Sequence, residues 1–381
     1  MKVVTVVGAR PQFVKAAPVS RVLRLAHVEL LVHTGQHYDD EMSGAFFRDL
    51  EMPEPDINLE VGSGSHGAQT AEMLRRLEPV IAEHQPDGVV IYGDTNSTLA
   101  AAIVAAKVVY PDGRRPWLAH VEAGLRSFNR AMPEERNRIV ADHLADLLLA
   151  PTATAMDHLA REGLAERAEL VGDVMVDLFR WAEPRADAHL LPIAREQPGF
   201  VLVTLHRAEN VDDVARLRAW LSSLADLAAV RPVIVPLHPR TRAAAERAGL
   251  QLPPQVTFVE PVGYLEMVAL ERAAAAILTD SGGVQKEAYL AGVPCITLRT
   301  ETEWPETVTA GWNTVLGDRP AELEAVLAEV LSRGADQVRP DLFGDGHAAG
   351  RIVAALERHH QGRGAMARSA PALQSTEASI S

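Results

Sequence analysis

The strongest chemical feature of this sequence is a turn of small residues, Thr279-Asp-Ser-Gly-Gly283. It follows an apolar run, Ala273 to Leu278, and precedes a helical stretch that carries Glu287. Backbone N–H groups at such a turn can approach an anion closely. The free N–H groups and the dipole of the helix start favour negative charge there. Ser281 adds a hydroxyl donor, and Gly282 and Gly283 permit close approach. Glu287, one turn into the helix, can accept hydrogen bonds from sugar hydroxyls. An N-capped structural helix is the competing reading of the same residues.

Carboxylates supply the second chemical feature. Asp94, in Gly93-Asp-Thr-Asn-Ser97, follows the apolar run Val89 to Tyr92. That is a strand's carboxyl end, where ligands of open α/β sheets bind, although Asp is also an ordinary helix N-cap. Glu122 ends the run Trp117 to His120 beside Gly124, with a salt bridge to Arg126 or Arg138 as its structural alternative. Glu134 and Glu135 follow Pro133 at a helix start, and Glu134 shares a face with Arg138, four residues on. Arg10 and Lys15 can place positive charge at the end of the first strand. Their loop lacks the G-x-G-x-x-G pattern, so NAD or FAD is poorly supported. His206-Arg207 occupies the same place in the second half as Arg10 does in the first, either as polar lining or as a phosphate contact.

Elements that would position these residues fall into two strand–helix series. Residues 1–182 read as a first α/β domain, with strands at Lys2–Val7, Val28–His33, Val89–Tyr92, Trp117–His120, Leu147–Ala150 and Glu169–Val171. Helices alternate with them, including one over about 40–50 after the polar loop that carries His37. Residues 183–199, rich in Pro, Ala and charge, read as a linker. Residues 200–345 form the second series, followed by a helix over 346–360 and a tail, 361–381, expected to be disordered. The pattern predicts two nucleotide-binding-type domains facing one another across a cleft. The second would bind a diphosphate through Ser281, Gly282, Gly283 and His206, and a ribose through Glu287. The first would supply Asp94, Glu122 and Glu134 with Arg10 and Lys15. Such a site suits a nucleotide-sugar enzyme that moves protons, with cations rather than Mg²⁺ on the diphosphate.

Composition narrows the alternatives. The 381 residues allow two or three domains, and 47% hydrophobic content is ample for their cores. A net charge of −14 argues against a nucleic-acid or anionic-membrane surface. The single cysteine, Cys295, rules out an intramolecular disulfide framework, fits a reducing cytoplasm and reads as buried filler. No signal peptide or membrane span is expected, and no zinc-type spacing of Cys and His occurs.

A family resemblance joins these pieces. Gly8-Ala-Arg-Pro, Gly35-Gln-His37, Gly93-Asp94, His120-Val-Glu-Ala-Gly-Leu-Arg126, Pro133-Glu-Glu with Asn137-Arg138, His206-Arg207 with Glu209-Asn210, and Asp280-Ser-Gly-Gly-Val-Gln285 with Glu287 run in order along the chain. Jointly they resemble the non-hydrolysing UDP-N-acetylglucosamine 2-epimerases, up to about residue 358. The resemblance implies a GT-B-type fold of two Rossmann-like α/β/α domains around a central cleft, a homodimer, and a C-terminal helix packing back on the first domain. It implies interconversion of UDP-GlcNAc and UDP-ManNAc for surface polysaccharide synthesis, through elimination to 2-acetamidoglucal and re-addition of UDP, with no cofactor or metal. Asp94, Glu122, Glu134 and His206 match the family's catalytic residues. Arg10, Lys15, Arg138, His206, Ser281, Gly282, Gly283 and Glu287 would bind substrate, and Met267 stands where an aromatic residue often packs on uracil. Many members read Thr-Glu-Arg-Pro-Glu where this chain has Thr302-Glu-Trp-Pro-Glu306. Gln36-His-Tyr-Asp39, together with Ser127-Phe-Asn-Arg130 and Trp304, resembles a branch that includes UDP-2,3-diacetamidoglucuronate 2-epimerases, and the segment after His37 departs from the branch activated by UDP-GlcNAc. A GT-B glycosyltransferase is a more distant alternative.

Overall fold

The computed structural model describes residues 1–35, 50–333 and 338–369. The expected helix over 40–50 and His37 lie outside the described residues. So does the side chain of Arg10, which opens a helix at Arg10–Leu23.

Continuous apolar strands need cover on both faces, which a parallel sheet between helices provides. Two such sheets form. The first contains β1 (Lys2–Val7), β2 (Val28–His33), β3 (Ile57–Asn58), β4 (Gly88–Tyr92), β5 (Trp117–Val121), β6 (Leu147–Ala150) and β7 (Ala168–Leu170). Their spatial order is β3-β2-β1-β4-β5-β6-β7. The second contains β8 (Val201–Thr204), β9 (Val233–Pro236), β10 (Thr257–Val259), β11 (Ala276–Thr279), β12 (Cys295–Thr297) and β13 (Asn313–Val315), ordered β10-β9-β8-β11-β12-β13. Each is a Rossmann-like layer, and together they make the GT-B-type α/β fold.

All strands are parallel, and the strand order reverses between β1 and β4 in one sheet and between β8 and β11 in the other. Ligand crevices of open α/β sheets lie at such switch points. Register then decides which residues meet. Val6 pairs with Ile91, and Tyr92 with Val121, so Gly8, Gly93 and Glu122 leave their strands at one level. Thr279 pairs with Thr204, which sets Asp280 beside Leu205-His206.

Between the two layers, helix Val174–Ala186 packs on helix Tyr264–Ala273, with Val174, Leu178 and Phe179 sharing one buried cluster with Tyr264, Leu265 and Val268. The terminal helix, Ala348–Ser369, lies on helix Arg10–Leu23, and its Ile352, Val353 and Leu356 are buried in the first layer's core. Each of those side chains contributes roughly 1.5–3 kcal/mol by leaving water.

Several boundaries differ from the sequence reading. Helix Val174–Ala186 runs into the expected linker, and a helix at Pro192–Glu196 follows. Leu190, Leu191, Ile193 and Ala194 pack on the second layer, which gives that stretch an ordered path. The terminal helix continues past Gln361 to Ser369, so this part of the expected disordered tail is helical. A helix at Pro239–Arg247, capped by His238, was not anticipated. Among the described residues, no helix is long and apolar enough to cross a membrane.

Candidate active site

Glu122 sits where β5 ends, in a left-handed conformation with φ 69°. A non-glycine residue there costs roughly 1–3 kcal/mol and persists only where its surroundings hold it. Here two lysines do so. Lys15, from helix Arg10–Leu23, bonds Oε2, and Lys286, from helix Gly282–Ala291, bonds Oε1 at 3.2 Å. Gly93 leaves the necessary space. A Cβ on it would lie 3.1 Å from the Lys15 ammonium and 3.2 Å from Glu122 Oε2. Burial alone would raise the Glu122 carboxyl, but the two ammonium groups more than offset it and hold it down at about 2. The expected partners, Arg126 and Arg138, are engaged elsewhere. Arg126 pairs with Asp142 and with Glu162, each at 2.7 Å. Those contacts, with the turn at Gly124, aim it away from Glu122.

Asp94 is not a helix cap. Thr95 takes that role, its side chain accepting from the Thr98 N–H at 3.4 Å. The Asp94 carboxylate is therefore available to Arg138, whose Nη2 and Nε reach one oxygen at 2.6 and 3.0 Å. Asn137 holds the Asp94 carbonyl at 2.9 Å. Behind this turn, buried His120 meets the Gly93 carbonyl with Nε2 at 2.7 Å and Asp142 with Nδ1 at 2.6 Å. Both ring nitrogens thus face oxygen acceptors, and the ring fixes the Gly93-Asp94 turn from below.

The paired glutamates divide their work. Glu135, not Glu134, bonds Arg138, at 2.7 Å. It also accepts from the N–H groups of Ser127 and Phe128 at 3.0 and 2.9 Å, and so frames the loop. Glu134 is half-buried and makes no ion pair among the described residues. Glu134 and Arg138, which share a helix face, do not pair among the described residues, because those free N–H groups recruit Glu135 and Arg138 follows it. Burial lowers the affinity of Arg138 for its proton, but Asp94, Glu303 and Glu135 outweigh that and keep it firmly charged.

In the second layer, Asp280 is fully buried and organises the loop after β8. Its carboxylate accepts from the backbone N–H groups of His206 and Arg207 at 3.0 and 2.9 Å, and from Asn210 at 3.1 Å. His206 Nδ1 lies 3.1 Å from the same carboxylate, and its ring stacks on His238 at 5.1 Å. Ser281 caps the helix only weakly, at 3.5 Å from the Val284 N–H. The N–H groups of Gly282 and Gly283 come before the first residue that can bond within the helix, which leaves this end suited to an anion. Glu287 is buried in the same helix. Met267 is also buried, packed with Ile277 and Val284 in the core, which leaves little of it for a base to stack on.

Trp304 takes the place of the expected arginine. It is buried, donates Nε1 to the Gly282 carbonyl at 3.0 Å and meets Phe343 edge-on at 5.5 Å. The Lys286 ammonium lies 4.2 Å from its ring centre, a cation–π contact. Trp304 therefore fixes the helix start rather than contributing charge to it. Introducing the expected arginine with Trp304→Arg should cost roughly 2 kcal/mol, since a second buried cation would lie beside Lys286. Urea denaturation checks this, and an unchanged midpoint would mean the site holds both cations without strain.

The structure thus joins Glu122 to Lys15, Asp94 to Arg138, and His206 to Asp280. Sequence reasoning missed Lys286 and Asp173, which bond each other at 2.5 Å. Their only sequence signal is a lysine between two other side chains that point into the protein, Gln285 and Glu287.

Comparison with known proteins bears on all of this. The family model described as UDP-N-acetylglucosamine 2-epimerase matches residues 24–357. The UDP-2,3-diacetamido-2,3-dideoxy-D-glucuronate 2-epimerase of Pseudomonas aeruginosa is 46% identical over 367 residues, covering 94% of this chain and 100% of that protein. A UDP-N-acetylglucosamine 2-epimerase homolog of Methanococcus maripaludis is 44% identical, covering 93% of this chain and 99% of that protein. The crystal structure of Methanocaldococcus jannaschii UDP-GlcNAc 2-epimerase in complex with UDP-GlcNAc and UDP is 40% identical and covers 94% of this chain and 100% of that one, with a TM-score of 0.86.

Proposed function

This chain belongs to the UDP-N-acetylglucosamine 2-epimerase family, and on that premise we propose that it interconverts UDP-GlcNAc and UDP-ManNAc without hydrolysis. A carboxylate takes the proton from sugar C2 while the C1–O bond breaks and UDP leaves with the bonding pair. The products are 2-acetamidoglucal and UDP. A proton then returns to the opposite face of C2, and a UDP oxygen re-forms the bond to C1. Gly282, Gly283, Ser281 and His206 hold the diphosphate in this reading, and Glu287 holds the ribose. Asp94, Glu122 and Glu134 carry the protons, with Lys15 and Arg138 orienting two of them. Proton transfer on two faces needs groups of unlike proton affinity. Glu122, held between two lysines, is the group of low proton affinity in that set.

One chain of contacts carries the reading. Glu122 bonds Lys286, Lys286 lies on Trp304, and Trp304 bonds the Gly282 carbonyl. Helix side chains lean toward the N-terminus, so Lys286 brings the carboxylate close to the anion-binding helix start. A proton-transfer group and a diphosphate site would thus share one small volume.

A second reading, a 2-epimerase of UDP-2,3-diacetamido-2,3-dideoxyglucuronate, is favoured by the 46% identity to the Pseudomonas enzyme. Proton NMR in D₂O separates the two. Deuterium at C2 with formation of UDP-ManNAc is the expected result for UDP-GlcNAc. Exchange only with the diacetamido uronate would transfer the activity to the second substrate. Release of free ManNAc would indicate hydrolysis and overturn the mechanism. A homodimer in the cytoplasm completes the proposal, and light scattering after size exclusion tests the dimer.

A further inference from the structure

Lys15, Glu122, Asp173 and Lys286 form a quartet of two cations and two anions, with side chains 13%, 6%, 1% and 2% exposed. Three of the four belong to the first layer. Lys15 is on helix Arg10–Leu23, Glu122 follows β5, and Asp173 caps helix Val174–Ala186 by accepting from the Met175 N–H at 2.8 Å. Only Lys286 comes from the second layer. It reaches across to Asp173 Oδ2 at 2.5 Å and Glu122 Oε1 at 3.2 Å.

We infer that Lys286 is a positioning residue through which the second domain sets the orientation and basicity of Glu122, an inference that rests on the epimerase reading. The charge count gives the reason. With Lys286 in place the quartet is neutral. With Lys286 withdrawn, Glu122 keeps Lys15 while Asp173 loses its cation, one negative charge is left over, and a proton binds more readily. Domain separation withdraws Lys286 while leaving the other three on the first layer. Trp304 supports the cation from behind, its ring 4.2 Å from the ammonium. Burial disfavours a charged Lys286, but Asp173 and then Glu122 outweigh burial and keep it protonated. The other charged groups near Glu122 are committed to separate partners: His120 to Asp142, and Asp94 to Arg138. The left-handed backbone at Glu122 is consistent with a carboxylate held in place by its surroundings.

The test uses the whole chain with Asp173→Asn as the background, so that removing Lys286 does not strand a second buried carboxylate. Urea denaturation compares that background with added Lys286→Met, added Glu122→Gln, and both. Lys286→Gln replaces Met if the Met variant does not fold. Losing Lys286 is expected to shift the midpoint less when Glu122 is already Gln, and strictly additive shifts would overturn the inference. In the same background, Lys286→Met should move the acid limb of kcat/KM upward by about one to three pH units, the effect of removing one adjacent opposite charge. Lys286→Arg should restore it. An unmoved limb would also overturn the inference, because a merely structural lysine has no reason to alter it. Should the parent protein turn over no UDP-sugar, the epimerase reading fails on its own, and the denaturation cycle still decides the role of Lys286.

Discussion

Glu122→Gln should lower turnover about a thousandfold while leaving UDP affinity within a few-fold of the parent. Positioned acid–base groups typically contribute about 10²–10⁴-fold, and Gln keeps the shape of the side chain but cannot take a proton. The UDP contacts proposed for the second domain lie in the loop after β8 and at the Gly282 helix start and do not involve this carboxylate. The substitution also has a structural cost. In the parent, Lys15 and Lys286 hold the Glu122 carboxyl at about 2. An unfolded glutamate titrates near 4.3. The folded value is lower, so the ionised pairing stabilises the protein fully above the unfolded value. That stabilisation, on the order of 3 kcal/mol, fades as pH falls from there toward 2. Glu122→Gln should therefore be less stable at pH 7, and the gap should narrow below about pH 4. Calorimetric titration with UDP, C2 deuterium exchange and denaturation at several pH values read the three effects. Near-normal exchange would remove Glu122 from the catalytic set.

Strand ends were legible in the sequence because buried parallel strands are short apolar runs, and the motifs follow directly after them. Gly93-Asp94, Glu122, His206 and Asp280 could all be set at carboxyl ends on that ground alone. Their partners were not legible. Glu122 pairs with a lysine 164 residues away, and no local rule links those positions. Helix periodicity allows Arg138 to meet either Glu134 or Glu135. The choice falls to Glu135 because the N–H groups of Ser127 and Phe128 need an acceptor, a need visible only once the loop is folded. Trp304 read as a lost cation, whereas in the structure it holds the Gly282 carbonyl and a cation stands on its ring. The expected linker failed for a related reason. Charge and proline obscured the apolar side chains that pack it onto the second layer.

Asp280→Ala is expected to remove about 3 kcal/mol of stability and at least tenfold in UDP affinity, the two losses having one origin. The carboxylate is the acceptor for two backbone N–H groups and one amide N–H, those of His206, Arg207 and Asn210. Each donor left buried without an acceptor costs roughly 1–3 kcal/mol, less where water can enter. Asn210 also donates to the Leu298 carbonyl at 2.9 Å and accepts from Trp220 at 3.2 Å. Asp280 thus ties the loop that carries His206 to the core of the second layer. Loss of that frame should free His206 from the position proposed for the diphosphate, which is why affinity falls although Asp280 itself need not touch the ligand. Ser281→Ala makes the contrast. Its cap is long, so its stability loss should be at most about 1 kcal/mol, while the phosphate donor proposed at this position disappears. The pH dependence separates the charged role of Asp280 from mere packing. Burial raises its carboxyl, but His206 and the loop donors outweigh burial and leave it below the ordinary range. The stability it provides is therefore complete above about pH 3.9 and declines as pH drops through the folded value. The gap between parent and Asp280→Ala should shrink in urea denaturation below about pH 3.9. A gap independent of pH down to the limit of folding would mean that the side chain's volume, not its charge, holds the loop.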